Sequence, residues 1–130
     1  MTIEQQVYTI LAAIPAVTSL VPASRIKVPG NWQSMARPYV VHHPVSPEPI
    51  ALMNNTMAAM RIWEYYQISV YADSYSSGNG IACAIRDALT SGVQTGDVVF
   101  MWQPGSWYIG RDDLMNVEHF AVDFRVAEAL

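Results

Sequence analysis

Basic charge is what this sequence has least of. Seven Lys and Arg stand in 130 residues, scattered singly, against eleven Asp and Glu, and the formal net charge is −4. Holding a nucleic-acid backbone requires clustered cations that displace counterions, so that class of function is excluded. Charged residues of both signs make up only 14% of the chain, where about a quarter is usual. A surface so poor in charge is expected to be covered in part by other subunits. Cysteine occurs once, at Cys83. An intramolecular disulfide is therefore excluded, in keeping with a reducing compartment. No apolar run approaches the roughly 20 residues of a membrane helix. The start, Met1-Thr2-Ile3-Glu4-Gln5-Gln6, has no positive segment of the kind that opens a signal peptide. The chain reads as made in the cytoplasm, with no membrane partner.

What is present is enough apolar material for one core: 52% of the residues, in a length that suits a single domain spanning 1–130. Thr2 and Gln5 have the spacing of a capping box, and Ile3, Val7, Ile10, Leu11 and Ile14 then recur at helical intervals. Pro15 suits the first turn of a second short helical piece carrying Val17, Leu20 and Val21. Tyr39-Val40-Val41-His42-His43, bounded by Pro38 and Pro44, reads as a strand, with Pro44, Pro47 and Pro49 interrupting regular pairing after it. Residues 60–72 form the strongest strand; it would reach about 40 Å if straight, so it is expected to bend or protrude. Tyr66, Ile68 and Val70 share its core face. Ser76-Ser77-Gly78-Asn79-Gly80 opens a helix with an Ile81, Ala84, Ile85, Ala88, Leu89 stripe, closed by Gly92. Strands over 97–103 and 114–126 follow, with turns at Pro104-Gly105 and around Gly110-Arg111-Asp112-Asp113. The order predicts an α+β domain, a mostly antiparallel β-sheet with two helices packed on one face.

Each candidate for chemistry has a plainer reading. His42 and His43 are strand neighbours that point to opposite faces, so they do not share a metal, and His119 adds no ligand set at metal spacing. Cys83 falls nearly opposite the apolar stripe and near Asp87, whose charge discourages a thiolate. Asp112-Asp113 is more simply a turn than an acid/base pair. Ser77-Gly78-Asn79-Gly80 lacks the lysine of a phosphate loop, which leaves an ordinary helix start with flexible glycines. Trp63, Tyr65, Tyr66 and Tyr71 have no basic groove beside them for stacking bases.

The order of these segments carries a resemblance. It runs from the helix ending in Ile14-Pro15-Ala16-Val17 through Arg25-Ile26 to Arg37-Pro38-Tyr39-Val40-Val41. It continues in Tyr66-Gln67-Ile68-Ser69-Val70-Tyr71-Ala72-Asp73, the helix over 81–89, and the closing Phe120-Ala121-Val122-Asp123-Phe124-Arg125-Val126. Over almost its whole length the chain resembles the small tail-completion, or tail-terminator, proteins of long-tailed bacteriophages and prophages. The resemblance implies a non-enzymatic virion subunit that forms a hexameric ring at the head-proximal end of the tail tube. It also implies contact with the tail-tube protein and the head-tail connector, and no cofactor, metal or catalytic residue. DNA would pass through such a ring without specific binding.

The rival readings are another neck or head-closure protein and, from a different class, a small-molecule-binding domain or enzyme; the latter expects a deep polar pocket with convergent titratable groups. Ring interfaces favour aromatic residues and Met over Lys, and this chain has 7 Tyr, 4 Trp and 7 Met with one Lys. The Met-rich stretch from Leu52 to Met60 has no counterpart in the family pattern. With prolines before it and Asn54-Asn55 inside it, the segment 47–60 reads as an arm that is mobile in the free subunit. Its apolar contacts would be Leu52, Met53, Met57 and Met60.

Overall fold

A computed structural model describes residues 2–30, 36–45, 50–53, 59–90, 98–103, 105 and 107–129. Two long antiparallel strands form its spine: β4, Ala59–Ala72, and β7, Val117–Ala129. Each shares its outer edge between two short strands. Beside β4 lie β2, Tyr39–Pro44, and β3, Ile50–Met53; beside β7 lie β6, Tyr108–Asp112, and β5, Val98–Gln103. A two-residue strand β1, Ile26–Lys27, pairs parallel with β2 at the far edge, and all other pairings are antiparallel. The order across the sheet is β1-β2-β4-β7-β5.

The long strand bends as its length requires. One extra residue sits in β4 between Trp63 and Tyr66, and such a bulge raises the local twist. Beyond it, Tyr66, Ile68 and Val70 line up with Phe124, Val122 and Phe120, and all six are completely buried. This apolar face is covered by α1, Ile3–Ala12, the short α2, Pro15–Thr18, and α3, Tyr75–Thr90. The capping box of α1 forms as its sequence predicts, with Gln5 N donating to Thr2 Oγ1 at 3.2 Å and Thr2 N to Gln5 Oε1 at 2.9 Å. Val7 and Leu11 of α1 and Ile85 of α3 meet the sheet with no exposure. Each such side chain stabilises the fold by about 1.5–3 kcal/mol through burial.

Gly78 explains how α3 comes so close. A Cβ there would stand 2.6 Å from a ring carbon of Phe120, so only a residue without one allows this approach. The helix begins at Tyr75, with the Ser74 hydroxyl accepting from Ser77 N at 3.2 Å. Gly78 is therefore a packing residue inside the helix and not part of a flexible start; Gly92 lies outside the described residues.

The C-terminal region also differs from expectation. The turn assigned around Gly110 to Asp113 is largely strand β6, and the last strand begins at Val117 instead of 114. Two features disguised it. Ile109 and Gly110 together face His119 in a bulge, with Gly110 at φ 141°, and Asn116 adopts the left-handed region at φ 55°. Both interrupt alternation. Pro44 closes β2 opposite Tyr66 and Ile50 opens β3; Pro47 and Pro49 lie outside the described residues. Pro44 lies past the end of β1, where the outer edge of β2 pairs with no described strand and a missing donor is tolerated.

Candidate functional site

The histidines do not gather. His42 lies on the helix-covered face, fully buried, with its Nδ1 2.7 Å from the Tyr66 hydroxyl. Burial, and then the neighbouring His43, lowers its pKa to about 4, so the ring is neutral near pH 7. His119 stands on the opposite face, stacked on Tyr71 at 4.3 Å between ring centres, and burial lowers its pKa as well. Among the described residues no group of three His, Cys, Asp or Glu is placed to hold a metal ion. Cys83 is half-buried on α3. Asp112 acts as a turn former: its Oδ1 accepts from the backbone N–H groups of Leu114 and Met115 at 3.0 and 3.2 Å. The four glycine-loop residues Ser77 to Gly80 lie within α3, and Asn79 Oδ1 accepts from Trp107 Nε1 at 2.9 Å. Asn79 is thereby engaged in packing. Among the described residues no helix is long and apolar enough to cross a membrane.

Two surface features stand out among the described residues. The first is an open groove of about 990 Å³ between the start of α1 and the β1–β2 edge, lined by Tyr8, Ile26, Lys27, Val28 and Pro29 among others. It exists because β1 ends at Lys27 after pairing with Val40 and Val41. The edge of β2 at His42 and His43 is thereby left to line the groove. His42 Nε2 and His43 Nδ1 are both enclosed and have no hydrogen-bond partner among the described residues.

The second is the tip of the β6–β7 hairpin, residues 113–116, where Leu114 is 99% exposed. Its shape is held from several sides. Asp112 caps it from within; Arg37, at the start of β2, donates to the carbonyls of Asn116 at 2.7 Å and Met115 at 2.5 Å and pairs with Asp73 at 3.1 Å. At its base Arg111 meets Glu118 at 2.8 Å and Tyr108 donates to the same carboxylate at 2.6 Å. Those two hydrogen bonds hold the Glu118 pKa below the ordinary value. Met115, Ile109, Tyr108 and Tyr75 are exposed as well, and Tyr75 packs edge-on to Tyr108 at 5.0 Å. Neither the tip nor the groove was anticipated. The signal for the tip was Asp112-Asp113-Leu114-Met115-Asn116, two apolar residues between turn formers.

Of the four residues expected to form an interface, Leu52 and Met53 belong to β3 and Met60 to β4, with Leu52 opposite Met60. Met57 lies outside the described residues.

Comparison with known proteins points one way. The model of the family described as "Tail completion protein gp17" matches residues 5–128. No curated protein matches the sequence significantly. Among solved structures, a chain of the "Virion of native gene transfer agent (GTA) particle" superposes with a TM-score of 0.66 at 20% sequence identity. The match covers 98% of this chain and 95% of that one.

Proposed function

The chain belongs to the Tail completion protein gp17 family, and from that premise we propose that it caps the head-proximal end of the tail tube as a ring. It is a structural component of a phage-type tail. In the proposed role the ring ends tube polymerisation and presents a surface to the head-tail connector, with the tail-tube protein on its other side. The observation that carries this reading is the extent of the family match, which takes in every element from α1 to β7.

Physical features of the chain support it. A subunit with two unlike exposed apolar regions, a groove and a hairpin tip, suits the heterologous contacts that close a ring. The net charge of −4 suits a passage through which DNA moves without adhering. The ring is hexameric in this reading, and the subunit is made in the cytoplasm of the bacterial host before joining the virion. The segment 47–60 serves as an arm, mobile in the free subunit and ordered against a neighbour or the tube. At its base β3 pairs with β4 alone among the described strands, which is a weak tether compared with a strand held on both sides.

Electron microscopy of purified tails carrying a tagged copy tests the role. Label is expected at one end, the end that joins the head, and tubes assembled without the protein are expected to be of uncontrolled length. Label spread along the tube rejects a terminator. Hydrogen exchange tests the arm separately, since strong protection of residues 50–58 in the isolated subunit overturns it.

A further inference from the structure

We infer that the hairpin tip at Leu114 and Met115 inserts into the groove between α1 and β1 of a second copy of this chain, forming the repeated contact of the ring. This rests on the ring reading and names the surfaces that make it.

The argument begins with an apolar side chain kept out in water by design of its surroundings. Leu114 is 99% exposed. Yet the backbone beneath it is fixed by the Asp112 carboxylate, by Arg37 on two carbonyls, and by the left-handed Asn116, which also accepts from Arg111. A tip fixed before it meets a partner loses little freedom on binding. The groove is its complement: concave, largely apolar, and near the upper end of volumes that enclose a drug-sized ligand.

Charge agrees with shape. Beside the tip, Asp113 is 91% exposed and only loosely paired with Arg111 at 3.7 Å. In the groove stands Lys27, the one lysine of the chain, exposed and with no ion pair among the described residues; Glu4 lines the same groove, so the attraction for Asp113 depends on an approach along the Lys27 side. Position then decides that the partner is another molecule. β1 and β6 lie at opposite edges of the sheet, and the tip, pinned by Arg37 and Asp112 of its own chain, contributes no residue to the lining of its own groove. A contact in which one edge of each copy meets the other edge of the next is heterologous and propagates until a rotation closes it.

The test uses single-cysteine variants in a Cys83→Ser background. Leu114→Cys protein is mixed with Val28→Cys protein and treated with a short bis-maleimide. Conditions are those in which native mass spectrometry finds the wild-type chain as a closed oligomer, or purified tails where the free chain stays monomeric. A 114–28 heterodimer is expected, and protein carrying both substitutions should link into a ladder ending at the ring. Lys27→Glu or Asp113→Lys alone should weaken association about tenfold, and the two together should return it to within roughly threefold of wild type. Closed oligomers with a 114–28 yield no higher than that with Leu20→Cys, an exposed site on another surface, overturn the contact and leave the ring reading standing. Dominant 114–114 links overturn it in favour of a two-fold contact. Absence of closed oligomers both in solution and on tails removes the ring reading and this contact with it.

Discussion

The two faces of the sheet are closed by different means. On the helix side Ile68, Val70, Phe120, Val122, Phe124 and Val126 are sealed by α1 and α3. On the other side the centre of the sheet carries small or polar residues, Ser69, Ala121 and Asp123, and these too are buried. There flat rings and hydrogen bonds supply the cover. Tyr39, Tyr71 and His119, in register across three strands, stack at 4.9 and 4.3 Å, and Gln67 donates to Asp123 at 3.2 Å. Apolar burial against helices should dominate stability, while a self-covered face should be nearly neutral to the fold and available for assembly.

The largest effect expected from this contrast is at Ile85. It is fully buried in α3 against the sheet, and Ile85→Asp removes its packing and buries an unpaired carboxyl. Together these cost on the order of 4 kcal/mol or more, close to the whole stability of a small domain. The variant should show no cooperative thermal transition. Ordinary melting would mean that the helix-covered face is not the core.

Acid should distinguish the two faces next. His42 belongs to the helix-covered face, and its pKa falls from 6.5 to about 4 on folding. A histidine held neutral favours folding fully above the unfolded pKa; that stability is lost as pH falls from about 6.5 toward 4. The loss amounts to about 3 kcal/mol. His119 shifts in the same direction, also by burial, but one side of its covering is only the Tyr71 ring. Urea denaturation at pH 7 and pH 4 should therefore show that His42→Gln removes most of the acid sensitivity and His119→Gln little of it. Equal effects from the two substitutions would erase the proposed difference between the faces.

How far the sequence revealed all this follows from the same contrast. Elements that bury a regular stripe were legible: α1 with its Thr2 and Gln5 cap, α3 with Ile81, Ile85 and Leu89, and the core alternation of β4 and β7. In each, one periodicity runs on over several turns or residue pairs toward one buried face. The misread parts are those where backbone geometry overrides periodicity. Gly110 and Ile109 form a bulge, so β6 looked like a turn; Asn116 in the left-handed region ends the tip that had been counted as strand. Gly78 looked like a loop residue because sequence does not show that Phe120 will lie against it. The groove was beyond reach for another reason: β1 stops after two residues, before Pro29-Gly30, while its partner β2 runs on to Pro44, and sequence alone does not show that the two strands pair. The aromatic ladder was hidden likewise, since Tyr39, Tyr71 and His119 become neighbours only through strand register.

That ladder offers the smallest and most discriminating prediction. Tyr71 stands in the middle, flanked on both sides by rings; burial raises its pKa, so the hydroxyl remains protonated near neutral pH. Tyr71→Leu keeps an apolar side chain of similar reach but removes both stacked contacts and the hydrogen bond between the Tyr71 hydroxyl and Ser69. Aromatic pairs contribute about 0.5–1.5 kcal/mol each beyond their buried area, and the new leucine retains part of that burial. The net loss should be about 2 kcal/mol, a fall in melting temperature of roughly 6–12 °C for a domain of this size. Differential scanning calorimetry on Tyr71→Leu resolves such a change. A loss near that of Ile85→Asp would show that the ladder belongs to the core and that this face is not free for assembly. A loss near zero, with association of the subunits impaired, would place the value of the ladder in contact between subunits instead.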